Sequence, residues 1–195
     1  MVRCKSRARL SDQQLFSSLL EGNLHAFDQL VIRYKRRLLN FVFRFVGDQQ
    51  TAEDIVQETF LRVYGKRKEY RSIANLSTWM FTIAGNLAKS ELRRRKRWRV
   101  VSINQDEEGS GIDIADESHR PDEITEEKIR DGYIQEAINS LPPKYREVVL
   151  LRDIEGLPYE EIARMIGCPV GTAKSRVNRG RLQLQEKLRR VIEEM

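Results

Sequence analysis

The chain has 195 residues, room for one compact domain or two small ones. Hydrophobic residues reach 40% and charged residues 33%, with 35 Lys and Arg against 29 Asp and Glu, so small cores are affordable and wholesale disorder is excluded. No apolar run approaches the ~18 residues of a membrane span, the basic start from Met1 to Arg9 leads into no apolar signal core, and Cys4 with Cys168 makes neither a disulfide framework nor a zinc site; the expectation is a soluble cytoplasmic protein without metal or cofactor.

The net charge of +6 conceals a pattern: residues 1–100 sum to +12 and residues 101–195 to −6. The order of segments predicts a disordered basic leader over 1–10, a helical domain over 11–100, an acidic flexible linker over 101–127 and a second helical domain over 128–195. In the first domain Phe27, Leu30, Val31, Tyr34, Leu38, Phe41, Val42 and Phe45 fall at steps of three and four, one broad apolar stripe of a helix. Gly47-Asp48 ends it, and Asp48 or Thr51 can cap the next helix by accepting from a free backbone N–H. That second helix sends Ile55, Val56, Phe60, Val63 and Tyr64 inward and keeps Glu53, Asp54, Gln57, Glu58 and Arg62 on its other face.

A third helix is expected from Ser77 to about Arg97, with Trp79, Met80, Ile83, Leu87 and Leu92 inward. Its second half is basic: residues 89–99 carry seven Lys and Arg against Glu91 alone. Tyr70 and Trp79 flank a polar stretch just before it. Flat rings beside a cationic track suit unstacked bases and their phosphates. The linker follows, ten acids against Arg120 over residues 102–127, self-repelling and solvated.

In the second domain Ile134, Ala137, Ile138 and Leu141 form one helical stripe, and Pro142-Pro143 breaks it. Tyr145, Val148, Val149 and Leu151 open a further helix that Gly156-Leu157-Pro158 ends, with Pro158 in the first turn of the next. Ile162, Ala163 and Ile166 then face inward, Gly167 permits a turn of positive φ, and Val170, Ala173 and Val177 face inward from a second helix beginning near Pro169. This is a helix-turn-helix pattern. Its second helix exposes Thr172, Lys174, Ser175, Asn178, Arg179 and Arg181, whose hydroxyl, amide and guanidinium groups read base edges or hold phosphate.

Four stretches, Asp54-Ile-Val-Gln-Glu-Thr-Phe-Leu-Arg-Val-Tyr, Ser77-Thr-Trp-Met-Phe-Thr-Ile-Ala-Gly-Asn-Leu-Ala-Lys, Leu141-Pro-Pro-Lys-Tyr-Arg-Glu-Val-Val-Leu-Leu-Arg and Cys168-Pro-Val-Gly-Thr-Ala-Lys-Ser-Arg, stand in the order and two-domain layout of a known family. From about Gln13 to Leu188 the chain resembles the extracytoplasmic-function sigma factors of bacterial RNA polymerase. The resemblance implies an all-α fold of two small domains, the second a helix-turn-helix, and an alternative sigma factor that directs transcription initiation in stress response under an anti-sigma factor. It implies that Asp54, Gln57, Glu58, Phe60 and Arg62 grip the clamp helices of the polymerase's largest subunit, with the flap of the second-largest subunit as a further contact. Tyr70, Ser77, Trp79 and Asn86 would capture the non-template strand of the minus-ten element, Asn86 at a flipped-out base, with Lys89, Arg93, Arg94 and Arg97 on the adjacent duplex. Arg152 would take a phosphate while Thr172, Lys174, Ser175, Asn178, Arg179 and Arg181 read the minus-thirty-five element. Two positions depart from the family: Pro158 stands where a Ser cap is usual, and Asn178 where a bulky residue is frequent.

Two weak readers on one string gain by tethering. The elements lie about 1.5 duplex turns apart, ~50–55 Å at ~34–36 Å per turn. A linker of 26 residues extends to at most ~85–95 Å and averages ~25–30 Å as a flexible coil, so it must be drawn out. Gly65-Lys66 lacks the rest of a phosphate loop, so strand opening has to draw on binding energy. The rival readings are a free-standing dimeric helix-turn-helix regulator, which needs neither the polar face at 53–62 nor the aromatics, and a DNA-acting enzyme. For the latter only Asp106, Glu107 and Glu108 cluster, and as consecutive acids they project in different directions.

Overall fold

The computed structural model describes residues 10–70, 75–105 and 126–193; the basic leader, residues 71–74 and most of the acidic linker, with its Asp106 cluster, lie outside them. Ser11 starts the first helix, α1 (Asp12–Leu20), with a reciprocal cap: its hydroxyl oxygen accepts from the Gln14 N–H and the Gln14 side chain accepts from the Ser11 N–H. The apolar stripe anticipated over 27–45 forms α2 (Leu24–Val46), with Leu30, Leu38, Phe41, Val42 and Phe45 fully buried. Gly47 closes it at φ +76°, and Asp48 caps α3 (Gln49–Gly65) by accepting from the Thr51 N–H at 2.9 Å. A single 3₁₀ turn (Arg67–Glu69) leads toward α4 (Leu76–Gln105).

The α4 helix packs the expected residues against the core but differs from expectation in which of its residues lie deepest and in length. Its fully buried residues are Met80, Phe81, Ala84 and Ala88, whereas Trp79, Ile83, Leu87 and Leu92 are only half-buried. Small alanines let α4 approach α2 and α3, so the larger residues fill the flanks. The helix also runs to Gln105, and α5 (Glu126–Ser140) begins before residue 128, so helix extends into both ends of the stretch assigned to linker.

Pro142 caps α6 (Pro143–Val149), which widens into a π turn (Leu150–Ile154) before Gly156 reverses the chain at φ +69°. The helix-turn-helix is present as read: α7 (Tyr159–Ile166), Gly167 at φ +65°, and α8 (Val170–Glu193). Pro158 occupies the cap position one residue before α7 instead of its first turn, and its side chain makes no cap hydrogen bond. Gly180 lets α8 lie close on α6; a Cβ there would stand 2.6 Å from Val149 Cγ2.

The two halves pack directly on each other. Helix α2 meets α5, α6 and the π turn, and α4 meets α7. Ile138, Leu150, Leu151 and Ile162 belong to the same buried cluster as Phe41, Phe45 and Phe81. Each large side chain so buried contributes roughly 1.5–3 kcal/mol. Arg146 crosses this boundary, donating to the carbonyls of Phe45 (2.6 Å), Leu141 (3.1 Å) and Asn139. These carbonyls end α2 and α5, where the helix dipoles favour a cation.

Candidate polymerase and nucleic-acid interface

Three surfaces carry the anticipated site residues. On α3, Asp54, Gln57 and Arg62 are exposed and Glu58 is half-buried. Arg62 pairs with Glu58 at 2.7 Å, an i,i+4 pair worth only ~0.3–0.5 kcal/mol and easily exchanged. Phe60 is buried against Phe27, with ring centroids 6.4 Å apart, and shows only an edge to a shallow groove shared with Val31, Lys35, Leu39, Val56 and Gln57. Ile32 at 78% and Leu61 at 68% exposure lie within one turn of that groove. Neither stood out in the sequence, because each falls off its helix's inward stripe, and that same displacement was the available signal.

Successive turns sort the anticipated residues of α4 onto different faces. Trp79, Asn86, Arg93 and Arg97, at spacings of seven, seven and four, share one face. Asn86, Arg93 and Arg97 are exposed there. Trp79 and Tyr70 are less available than open stacking platforms would be: their ring centroids are 5.0 Å apart and Phe16 stands 4.7 Å from Tyr70 and 6.0 Å from Trp79, so α1 anchors both. Ser77 is half-buried on the far side of the helix from Asn86. Lys89 does not face open solvent; its ammonium lies 3.0 Å from Glu147 of α6. Arg94 is exposed and forks onto Glu91 at 2.8 and 3.0 Å, which, with Arg95, holds the Glu91 carboxyl below its ordinary range.

On α8, Lys174, Ser175, Asn178, Arg179 and Arg181 are exposed and Thr172 is half-buried. Several cations there are already oriented. Arg181 forks onto Asp153, which raises its pKa. Arg179 donates to the Tyr145 hydroxyl, and this is the main reason the phenol sits below its ordinary value. Arg152 is tied to its own domain, donating to the Leu157 carbonyl at 2.8 Å with its guanidinium 4.6 Å from the Tyr159 ring, which Lys174 approaches to 5.7 Å. Any phosphate contact by Arg152 uses the part of the fork that Leu157 leaves. Cys168 is half-buried, its thiol 3.4 Å from the Pro169 carbonyl. Among the described residues no group of His, Cys, Asp or Glu is placed to hold a metal, and no helix is long and apolar enough to cross a membrane.

Known proteins match this chain along most of its length. Residues 30–98 match Sigma-70 region 2 and residues 131–184 match Sigma-70, region 4. The RNA polymerase sigma-H factor of Pseudomonas aeruginosa is 33% identical over 186 residues, 94% of this chain and 96% of that protein. The ECF RNA polymerase sigma-E factor of Escherichia coli is 34% identical over 190 residues, 94% of this chain and 97% of its own length. Among solved structures, the sigma factor RpoE in complex with the anti-sigma factor NepR from Bartonella quintana superposes with a TM-score of 0.64 at 30% identity, covering 84% of this chain and 96% of that one. CnrH in complex with the cytosolic domain of CnrY shares the fold, with a TM-score of 0.65 at 22% identity over 91% and 96% of the two chains. A free-standing dimeric regulator finds no support in these matches. The chain belongs to the extracytoplasmic-function sigma factors, alternative sigma factors that direct transcription initiation and contribute no catalysis of their own.

Proposed function

We propose that this sigma factor docks on core RNA polymerase through α3, captures the minus-ten strand on α4 and reads the minus-thirty-five element with α8. The polymerase face consists of Asp54, Gln57, Glu58 and Arg62 around the groove edged by Phe60, and Ile32 and Leu61 add apolar contact on the same side. Clamp helices of the largest subunit fit such a face, a polar rim around an apolar strip. The second-largest subunit's flap would take the C-terminal domain, and the work is done where chromosome and polymerase are, in the cytoplasm.

One observation carries the DNA reading: Asn86, Arg93 and Arg97 share an exposed face of α4 while Lys174, Ser175, Asn178 and Arg179 stand exposed on α8, so one chain presents two separate readers. Asn86 supplies a donor and an acceptor to an extruded base, whose unstacking costs a few kcal/mol that stacking and hydrogen bonding return. An anti-sigma factor, such as accompanies the Bartonella quintana protein, would hold this chain away from polymerase.

Run-off transcription with purified core polymerase on a panel of promoters tests the reading. Addition of this chain is expected to create start sites absent with core alone. Asn86→Ala should lower open-complex formation while polymerase association is retained, and Arg179→Ala should lower upstream-element recognition by about tenfold. Unchanged initiation by Asn86→Ala removes that residue from the strand site. Equal loss with Arg179→Ala on a promoter lacking the upstream element removes Arg179 from its reader.

A further inference from the structure

The first helix, α1, precedes the stretch 30–98 that matches Sigma-70 region 2, yet it packs on the aromatic residues assigned to the separated strand. Asp12, Phe16 and Leu19 stand four and three residues apart and so share one face of α1. The reciprocal cap of Ser11 and Gln14 starts the helix from within its own first turn. How α1 sits on α2 is decided elsewhere. Arg33 donates to one oxygen of the Asp12 carboxylate and, at 2.9 Å, to the Leu10 carbonyl, while the Tyr34 hydroxyl donates to the other Asp12 oxygen. Tyr34 is 2% exposed within the α2 stripe, so its hydroxyl needs a partner, and Asp12 supplies it. Burial first, and then this bond, push the Tyr34 phenol well above its ordinary range, so it remains a donor near neutral pH.

That seat decides what Phe16 touches. The Phe16 ring is buried and meets Tyr70 edge-on at 4.7 Å and 63°, and Trp79 at 6.0 Å and 89°. Tyr70 and Trp79 lie 5.0 Å apart at 39°. Each separation falls in the range where aromatic rings attract one another. Burial and then the Asp12 charge raise the Tyr70 phenol, so the carboxylate that seats α1 also faces this ring. Trp79 in turn shares its face of α4 with Asn86, seven residues on, or ~10 Å along the axis. A nucleotide beside the one taken by Asn86 meets the Trp79 ring there. Stacking gains most from a ring already held in place, because a ring free to turn loses that freedom on binding.

We propose that α1 is part of the strand reader: Phe16 is a positioning residue that fixes the rings of Tyr70 and Trp79 for stacking, and Asp12 holds Phe16 there by clasping Arg33 and Tyr34. The inference rests on the reading of α4 as the minus-ten face, and its test tells the two apart. The chain has two tryptophans, so Trp98→Phe, at a position 69% exposed, leaves Trp79 as the sole one. In that full-length background, acrylamide quenching reports the shielding of Trp79, and a labelled 12-nucleotide single strand of mixed sequence reports binding. Phe16→Leu keeps an apolar side chain in the core and removes the ring. Asp12→Asn keeps an acceptor for Tyr34 and removes the charge that Arg33 answers. Both should raise quenching. Phe16→Leu should weaken strand binding about fivefold, the scale of a lost aromatic contact, and Asp12→Asn somewhat less. Affinity for core polymerase should change less than about twofold, as for distant independent sites. In a Trp79→Ala chain, Phe16→Leu should weaken strand binding no further. Gln13→Ala, exposed on the same helix, should alter neither quenching nor binding. Quenching unchanged in both Phe16→Leu and Asp12→Asn overturns the positioning of the rings by α1. Equal losses of strand and polymerase binding, or a further loss in the Trp79→Ala chain, assign Phe16 to general stability and overturn its part in reading. Strand affinity that drops with Asn86→Ala but with neither α1 variant overturns the role of α1 alone. Strand affinity that Asn86→Ala leaves unchanged overturns the reading of α4, and the role of α1 with it.

Discussion

The two longest helices among the described residues of this sigma factor, α4 and α8, each carry a basic run, yet the rest of the chain treats them oppositely. On α4, the face with Thr78 and Lys89 is closed over by acids from the second domain, and only the Asn86 face remains exposed. On α8, the inward stripe of Ala173 and Val177 is consumed by its own domain, and Lys174, Ser175, Asn178 and Arg179 all stand in solvent. A helix that reads intact duplex needs one exposed face and a firm seat. On α4 one flank is taken up by the other half of the chain, so its exposed area is confined to the remaining faces.

The most severe way to break this comparison is Arg146→Ala. Burial depresses this guanidinium's pKa, yet the group stays charged and satisfies carbonyls from both domains. Its removal leaves the ends of α2 and α5 without their shared donor, an expected loss of ~3–5 kcal/mol. Urea unfolding followed by far-ultraviolet circular dichroism measures it. Loss of a single cooperative transition into two would show that the domains fold separately once this bond set is gone. A loss below about 1 kcal/mol would mean that water replaces the guanidinium without penalty.

How much of this was legible in the sequence follows from range. Gly47, Asp48 and the α2 stripe act over one or two turns, and they appear where the spacing puts them; so do Gly167 and the exposed set on α8. The α1 helix was equally local, through Ser11 and Gln14, but its short apolar set of Leu15, Phe16 and Leu19 was not read as a helix. On α4 the expected inward residues do pack on the core, but size misleads about which lie deepest: Ala84 and Ala88 mark the tightest contact with Met80 and Phe81, while the bulkier Ile83 and Leu87 lie at its margins. The contacts of Glu147 and Glu161 were illegible for a different reason. Glu147 and Glu161 have the composition of ordinary surface acids, and only the approach of α4, far away in sequence, gives them partners. The same distant approach gives Lys89, which the resemblance sets on the adjacent duplex, Glu147 as a partner. Likewise, the widening of α6 into a π turn has no local signature in Leu150 to Ile154.

A milder perturbation confines the change to the seat of α8. Gly180→Ala gains intrinsic helix preference worth roughly 0.8–1 kcal/mol. Its Cβ would meet Val149 Cγ2 at 2.6 Å and Tyr145 at 3.4 Å. Val149 is β-branched and has little freedom to turn aside, so overpacking of ~1–3 kcal/mol wins. The expected outcome is a net loss of about 1 kcal/mol in urea stability, recovered by adding Val149→Ala. Upstream-element recognition should fall with it, while single-strand binding by α4 should hold. If strand binding fell equally, the two helices would be more tightly coupled than their opposite exposure implies.

The most local effect belongs to the far side of α4 and carries a pH signature. Asp48 caps α3 and also meets Arg95 of α4 at 3.2 Å, so one carboxylate ties the cap to the basic helix. The Thr51 hydroxyl, the Thr51 N–H and Arg95 together hold its pKa below the ordinary value. A depressed carboxylate contributes its stability in full above its unfolded pKa, ~3.9, and loses it as pH falls through the lower folded value. Asp48→Ala should therefore cost about 0.5–2 kcal/mol at neutral pH, the range for a lost cap. Its deficit relative to the parent should shrink only below about pH 4. Asp48→Asn should keep most of the cap but flatten that pH dependence, because an amide accepts the Thr51 N–H without carrying the charge that Arg95 answers. A deficit that narrowed near pH 6 would assign the effect to a different group. Since Asp48 lies in the N-terminal domain and away from the α4 flank that Glu147 and Glu161 occupy, none of these changes should alter the distance between the domains.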